Sequence, residues 1–215
     1  MTLRDIAQSR RFVAVGTELC RRAIASCDEA GFDALTLPGW TRRHLVAHLA
    51  ANAEALLCLL HWAHTGEPTP MYSSPEQRAA DIAAGAAMSG AELTAWFERS
   101  SMALDAGFAN MSDDAWNAPV VTAQGRMVAA AETTWMRSRE VLIHTVDLGT
   151  GVGFGDLPYD FLAQLRNEVL TKRADERLVP LAGNLSDIVA YLVGRGRGGV
   201  TVADGASAPE LGPWL

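Results

Sequence analysis

Trp135-Met-Arg-Ser-Arg-Glu-Val-Leu-Ile-His-Thr-Val-Asp147 is the stretch on which the reading of this chain turns. Trp135, Leu142 and Val146 recur at helical spacing and mark a buried side. Glu140 and His144 flank that side with Thr133 and Met136. They lie four residues apart, so both side chains leave one helix face a turn apart. The helix should run from about Glu132 to Leu148, where Gly149 and Gly151 close it. Three other stretches have the same character. One spans about Leu3 to Cys27, with Ile6, Phe12, Val13, Val15, Leu19 and Ile24 at helical spacing. A second spans Arg42 to His64 behind Thr41 as N-cap. The third begins at Ser89 or Gly90 and reaches Ala109, with Leu93, Trp96, Phe97 and Leu104 inward. Between them, Thr36-Leu-Pro-Gly-Trp40 reads as a turn, Glu76 to Met88 as a short helix behind prolines 68, 70 and 75, and residues 110–130 as a loop with a short extended piece. Four long amphipathic helices joined by breaks predict a mainly α chain built on a four-helix bundle.

After Gly155 the texture changes. Leu157 to Asp175 reads as helix, Arg177 to Leu181 as extended, and Leu185 to Val193 as helix. Gly194-Arg-Gly-Arg-Gly-Gly-Val-Thr-Val202 then supplies a glycine-rich turn and a strand. We place a boundary near residue 153, with a helical bundle over 1–152 and a small α+β domain over 153–215. At 215 residues and 49% apolar content the chain can bury a real core.

The formal net charge of −7 argues against nucleic acid or an anionic membrane as the main partner. No uncharged apolar stretch approaches the roughly eighteen residues that cross a bilayer, and the first residues have no apolar signal-peptide core. Three cysteines, Cys20, Cys27 and Cys58, cannot all pair, and none forms a Cys-x-x-Cys motif. A reduced cytoplasm fits this usage best. Cys20 and Cys58 sit in apolar helical settings, as small core residues do.

The chemistry gathers on histidine and glutamate. His48, in Leu45-Val-Ala-His-Leu-Ala-Ala-Asn52, lies on the inward stripe of its helix with Leu45, Asn52, Ala55, Leu56 and Leu59. Together with Glu140-x-x-x-His144 it would make a His₂Glu cation site with open positions, the arrangement used by catalytic zinc. It is not the His-Glu-x-x-His of zinc peptidases. Each part also has an ordinary reading: a core histidine with one hydrogen bond, and an i,i+4 pair worth about 0.2–0.5 kcal/mol. His44 is a rival ligand one turn before His48, whereas His61 and His64 fall at the solvated far end. Arg137 and Arg139 flank Glu140. They, Arg78 and Arg195 are either surface charges or two-donor clamps for a substrate carboxylate.

The blocks Gly39-Trp-Thr-Arg-Arg-His-Leu-Val-Ala-His-Leu-Ala-Ala-Asn52, His61-Trp-Ala-His-Thr-Gly-Glu67, Thr69-Pro-Met-Tyr72, Thr122-Ala-Gln-Gly-Arg126 and Trp135 to Gly149 closely resemble the mycothiol-dependent maleylpyruvate isomerases, in the DinB-like metalloprotein superfamily. The resemblance covers nearly the whole chain, including Gly194-Arg-Gly196 and Pro213-Trp-Leu215. It departs between about Lys172 and Asn184, which looks short for the family's C-terminal domain. The resemblance implies a DinB-like bundle, a metal triad at His48, Glu140 and His144, zinc as the divalent metal, and mycothiol as thiol cofactor. The implied reaction is cis–trans isomerisation of maleylpyruvate to fumarylpyruvate in gentisate degradation. A metal-held thiolate adds in conjugate fashion, an enolate forms, the former double bond turns, and thiolate leaves. The substrate's two carboxylates call for an arginine clamp, for which Arg78 and Arg195 are the candidates. Two other readings stay open: a mycothiol S-transferase acting on another electrophile, and a non-enzymatic metal-stabilised ligand-binding module. The sequence leaves monomer or dimer open.

Overall fold

The structure, a computed structural model, describes residues 5–173, 180–202, 205–212 and 214. The chain divides into two compact units, Met1–Gly151 and Val152–Leu215. The first unit is built on four long helices: α1 (Ile6–Ala25), α2 (Arg42–Thr65), α4 (Gly90–Ala109) and α6 (Glu132–Asp147). Local signals fix their ends. The Asp5 carboxylate accepts from Gln8 N at 3.0 Å at the start of α1. Ser89 and Glu92 close a reciprocal capping box on α4. Gly66, at φ 78°, ends α2 in the left-handed conformation that suits glycine.

α1 lies along α6 and α2 along α4, and contacts of α2 with α6 and of α1 with α4 close the bundle. The core is made of Phe12 and Ile24 from α1, Leu45, Leu49, Leu56 and Leu59 from α2, Phe97 and Leu104 from α4, and Trp135 and Leu142 from α6. Each such aliphatic or Phe side chain contributes about 1.5–3 kcal/mol by leaving water. Gly16 lets α1 and α6 approach: a β-carbon there would overlap Val141 Cγ2. α3 (Pro75–Ala86) packs on α2, with Gly85 against Ala47. α2 has the length and apolar composition of a membrane span, but 67% of that window is buried inside the bundle.

Val15, one of the apolar residues at helical spacing, is exposed on the outer side of α1, and one inward assignment is corrected. Trp96 sits at the rim, where its indole N–H donates to Glu54 at 2.7 Å, because a Trp must also satisfy that donor. The Thr36–Trp40 turn is the tip of a hairpin, β1 (Leu35–Leu37) with β2 (Trp40–Thr41), with Gly39 at φ 77°. Residues 110–130 are more ordered than a loop. They form α5 (Asp113–Asn117) and an antiparallel hairpin, β3 (Pro119–Val121) with β4 (Met127–Ala129), in which buried Val120 pairs with buried Val128.

The second unit holds α7 (Tyr159–Lys172) and α8 (Leu185–Leu192), packed together, and a two-stranded antiparallel pair, β5 (Leu181–Ala182) with β6 (Thr201–Val202). Phe161, Leu165 and Val169 of α7 are buried, as are Val189 and Leu192 of α8. Residues 174–179, which fall within the segment expected to be short and include most of the expected extended stretch from Arg177, lie outside the described residues.

Candidate metal centre

α2 and α6 run antiparallel, which sets the second turn of α2 against the second half of α6. His48 Nε2 lies 2.9 Å from Glu140 Oε2, and His144 Nε2 lies 3.3 Å from the same oxygen. The imidazole rings meet edge to face, with centroids 5.1 Å apart. One ligand atom from each of the three residues falls within 4.8 Å of the other two.

Hydrogen bonds fix the tautomers. His144 Nδ1 lies 2.8 Å from the buried Asp147 carboxylate, which only accepts, so Nδ1 carries hydrogen and Nε2 faces Glu140. A carboxylate behind the far nitrogen is the usual support of a metal-bound histidine. His48 Nδ1 lies 3.3 Å from Arg78 Nη2. Arginine only donates, so this Nδ1 accepts and Nε2–H donates to Glu140. The donor set fits a zinc-type cation: two imidazole nitrogens and one carboxylate oxygen, with room for a fourth ligand.

The charges follow from the same contacts. Burial opposes ionisation of Glu140, but hydrogen bonds from His144 and His48 outweigh it and hold the carboxyl well below its ordinary range. Burial likewise opposes charge on His144, yet Asp147 and Glu140 lift its pKa to about 9. At His48 burial wins and lowers the pKa. Three polar side chains thus share protons where a divalent cation would supply the positive charge.

Trp40, from the β1–β2 hairpin, stands edge-on to His48 with centroids 5.6 Å apart. Next to the centre opens a cavity of about 700 Å³, lined by Trp62, Met71, Tyr72, Arg78 and the Thr122–Gly125 turn of the β3–β4 hairpin. Arg78 joins the two, because it lines the cavity, touches His48, and lies with Cζ 5.6 Å from the centre of the Tyr72 ring. Burial raises the Tyr72 pKa, so the phenol stays protonated.

The structure thus brings together His48, Glu140, His144 and Arg78. Arg195 lies in the second unit, exposed, with Nη1 donating to Val193 O at 2.8 Å. His44 caps its own helix, its Nδ1 accepting from Thr41 N at 3.3 Å and lying 2.9 Å from Thr41 Oγ1. His61 and His64 are exposed. Arg137 is no substrate clamp: it is sealed in the bundle, 1% exposed. Cys20 is buried, its thiol donating to Val141 O at 3.1 Å, and burial pushes its pKa up to about 11. Asp147 and Tyr72 are neighbours of the site that pattern alone did not single out. The signal for Asp147 was its place three residues after His144 on one helix face.

The fold and this site define a class first: helical bundles that bring a His–Glu–His cluster together between two antiparallel helices. The sequence model of one family, the mycothiol maleylpyruvate isomerase N-terminal domain, matches residues 13–149, and the chain belongs to that family. A crystal structure of the mycothiol-dependent maleylpyruvate isomerase superposes with a TM-score of 0.90 at 39% identity, covering 98% of this chain and 100% of that one. A histidine-to-alanine mutant of that enzyme superposes with the same score and coverage at 38% identity. None of the curated proteins matches the chain.

Proposed function

We propose that this chain isomerises maleylpyruvate to fumarylpyruvate in the cytoplasm, using mycothiol and one divalent cation, zinc, held by His48, Glu140 and His144. The observation that carries this reading is the convergence of three ligand atoms beside a cavity whose nearest cation is Arg78. When bound, the cation and mycothiol would supply a thiolate nucleophile at neutral pH for a reversible addition to the substrate's double bond.

The chain's own residues do the rest. Glu140 would contribute the negative charge that holds a cation, and Asp147 would keep the Nδ1 hydrogen of His144, so that Nε2 binds once it gives up its own proton. His48 can give its Nε2 lone pair to a cation only with hydrogen on Nδ1. Hydrogen there would meet Arg78, a pure donor, so the guanidinium would give up this contact. Arg78 would then be available to offer its planar fork to a substrate carboxylate. The apolar cavity walls exclude water that would weaken these charges. Cys20 does not compete as nucleophile, because it is sealed and its pKa is raised.

The test is an assay of the purified chain with maleylpyruvate. Turnover should need added mycothiol and stop when a chelator strips the metal. Full turnover without any thiol would overturn the reading. Arg195→Ala, assayed beside Arg78→Ala, decides whether the second arginine takes part in carboxylate binding.

A further inference from the structure

Among the described residues, Arg137 is the largest fully buried charged side chain, and the proposed chemistry leaves it unused. Its side chain is 1% exposed in the bundle. Nη1 donates to Leu49 O at 2.7 Å and to Asn52 Oδ1 at 2.9 Å, and Nη2 donates to Ser101 Oγ at 3.2 Å. All three acceptors are neutral. Burial pulls its pKa down to about 10 against the opposing charges of Cys20, Glu140 and Tyr72, which still leaves it charged at neutral pH. A guanidinium buried among neutral acceptors is costly, and a Met or Leu of similar volume would hold a bundle together at lower cost. Its position gives a reason for it.

Arg137 stands one turn before Glu140 and two turns before His144, on the stripe of α6 that faces α2. Leu49 directly follows His48, and Asn52 is one turn beyond His48 on the same stripe. Nη1 of the rigid guanidinium therefore ties α6 to α2 one turn below the triad, while Nη2 ties the same fork to α4. On the other side, Arg42 ties the start of α2 to the end of α6, donating to Leu148 O at 2.6 Å and to Gly149 O at 3.1 Å. The three ligands sit between these two arginine ties.

We infer that Arg137 is a positioning residue for the cation centre, a strut that sets the separation of His48 from Glu140 and His144. The inference rests on the metal reading given above. It separates two effects of opposite sign. As a positive charge near the centre, Arg137 disfavours a divalent cation, so loss of the charge alone would tighten binding. As a strut, it holds ligands at bonding geometry, so loss of the fork weakens binding.

The experiment is zinc titration of the metal-stripped full-length chain against a chromophoric chelator, with Co²⁺ absorption as a probe of ligand geometry. Wild type is compared with Arg137→Met, Arg137→Lys, Asn52→Ala and Ser101→Ala. Arg137→Met should bind zinc about 10- to 100-fold more weakly, the usual effect of losing a group that orients ligands, and should shift the Co²⁺ band. Arg137→Lys, which keeps the charge and loses the fork, should fall at least as far. Asn52→Ala cuts the tie to α2 and should weaken zinc severalfold. Ser101→Ala cuts only the tie to α4 and should lower Tm while leaving zinc affinity and the Co²⁺ band as in wild type. Tighter zinc binding by Arg137→Met would overturn the strut, as would equal weakening by Ser101→Ala and Asn52→Ala. If Arg137→Met fails to fold, the Asn52 and Ser101 pair decides the matter. A wild-type chain that takes up no zinc overturns the metal reading and the strut together. Zinc binding by wild type with unchanged folded variants overturns the strut alone.

Discussion

The two sides of α6 treat reactive residues in opposite ways. Toward α2 it presents Glu140 and His144 to a second histidine, a buried aspartate and an arginine, in a place next to a cavity. Toward α1 it presents Val141 O and Thr145, which enclose the Cys20 thiol, 2.7 Å from Thr145 Oγ1, out of reach of solvent. Cysteine is by nature the better nucleophile, yet Cys20 is sealed, and the groups able to hold a cation gather on the other side. Apolar burial without an opposite charge favours the neutral thiol, whereas clustered donors hold a carboxylate ionised.

The largest effect should come from the ligand side. Glu140→Ala removes the only formal negative charge among the three ligands, and the account expects metal and isomerase activity to vanish in a chain whose circular dichroism is unchanged. Retained activity in that variant would break the contrast between the two sides. Next comes Asp147→Ala, which leaves all three ligands in place but frees the His144 ring. Zinc affinity should drop about 10- to 100-fold, read by chelator competition.

Arg78→Ala should lower kcat/KM about tenfold, the lower end of what a charge-assisted hydrogen bond contributes. Bound zinc should not fall. Lys at that position should recover only part of the loss, because a point charge lacks the fork. A decline in zinc content instead would mean that Arg78 serves the metal and not the substrate.

The smallest effect is expected on the α1 side. The variant with all three cysteines replaced by Ala should keep its isomerase activity while losing some stability at Cys20. The thiol pKa is raised by burial to about 11, above its ordinary 9. Folding therefore favours the protonated form. That contribution is complete below pH 9 and is lost as pH climbs from 9 to 11. Wild type and Cys20→Ala should then differ in how steeply Tm declines across that window, with wild type the steeper. Equal slopes would show that the thiol is not sealed.

How much of this was legible in the sequence follows from what each residue does. α2 and α4 could be bounded from Thr41, Gly66, Ser89 and Glu92, because capping is local chemistry. The triad was legible because Glu140 and His144 share a helix face and His48 lies on an inward stripe, although spacing alone left an ordinary core histidine open. The β3–β4 hairpin was not legible beyond a short extended piece. Its strands have three residues each, too few to show a period, and Val120 is buried through pairing with Val128 and the packing of β3 on α2. Arg137 was misread for a different reason. Arginine is usually exposed, and its acceptors Leu49, Asn52 and Ser101 come from two other helices that no local pattern could supply. The cavity wall, drawn from the end of α2, the start of α3 and the β3–β4 turn, was hidden likewise.

The central claim is that one cation binds where α2 meets α6. The most direct measurement is calorimetric titration of the metal-stripped chain with Zn²⁺, beside the same titration of His48→Ala. The account predicts about one site per chain in wild type and loss of that site in the variant. Equal zinc uptake by both chains would contradict it.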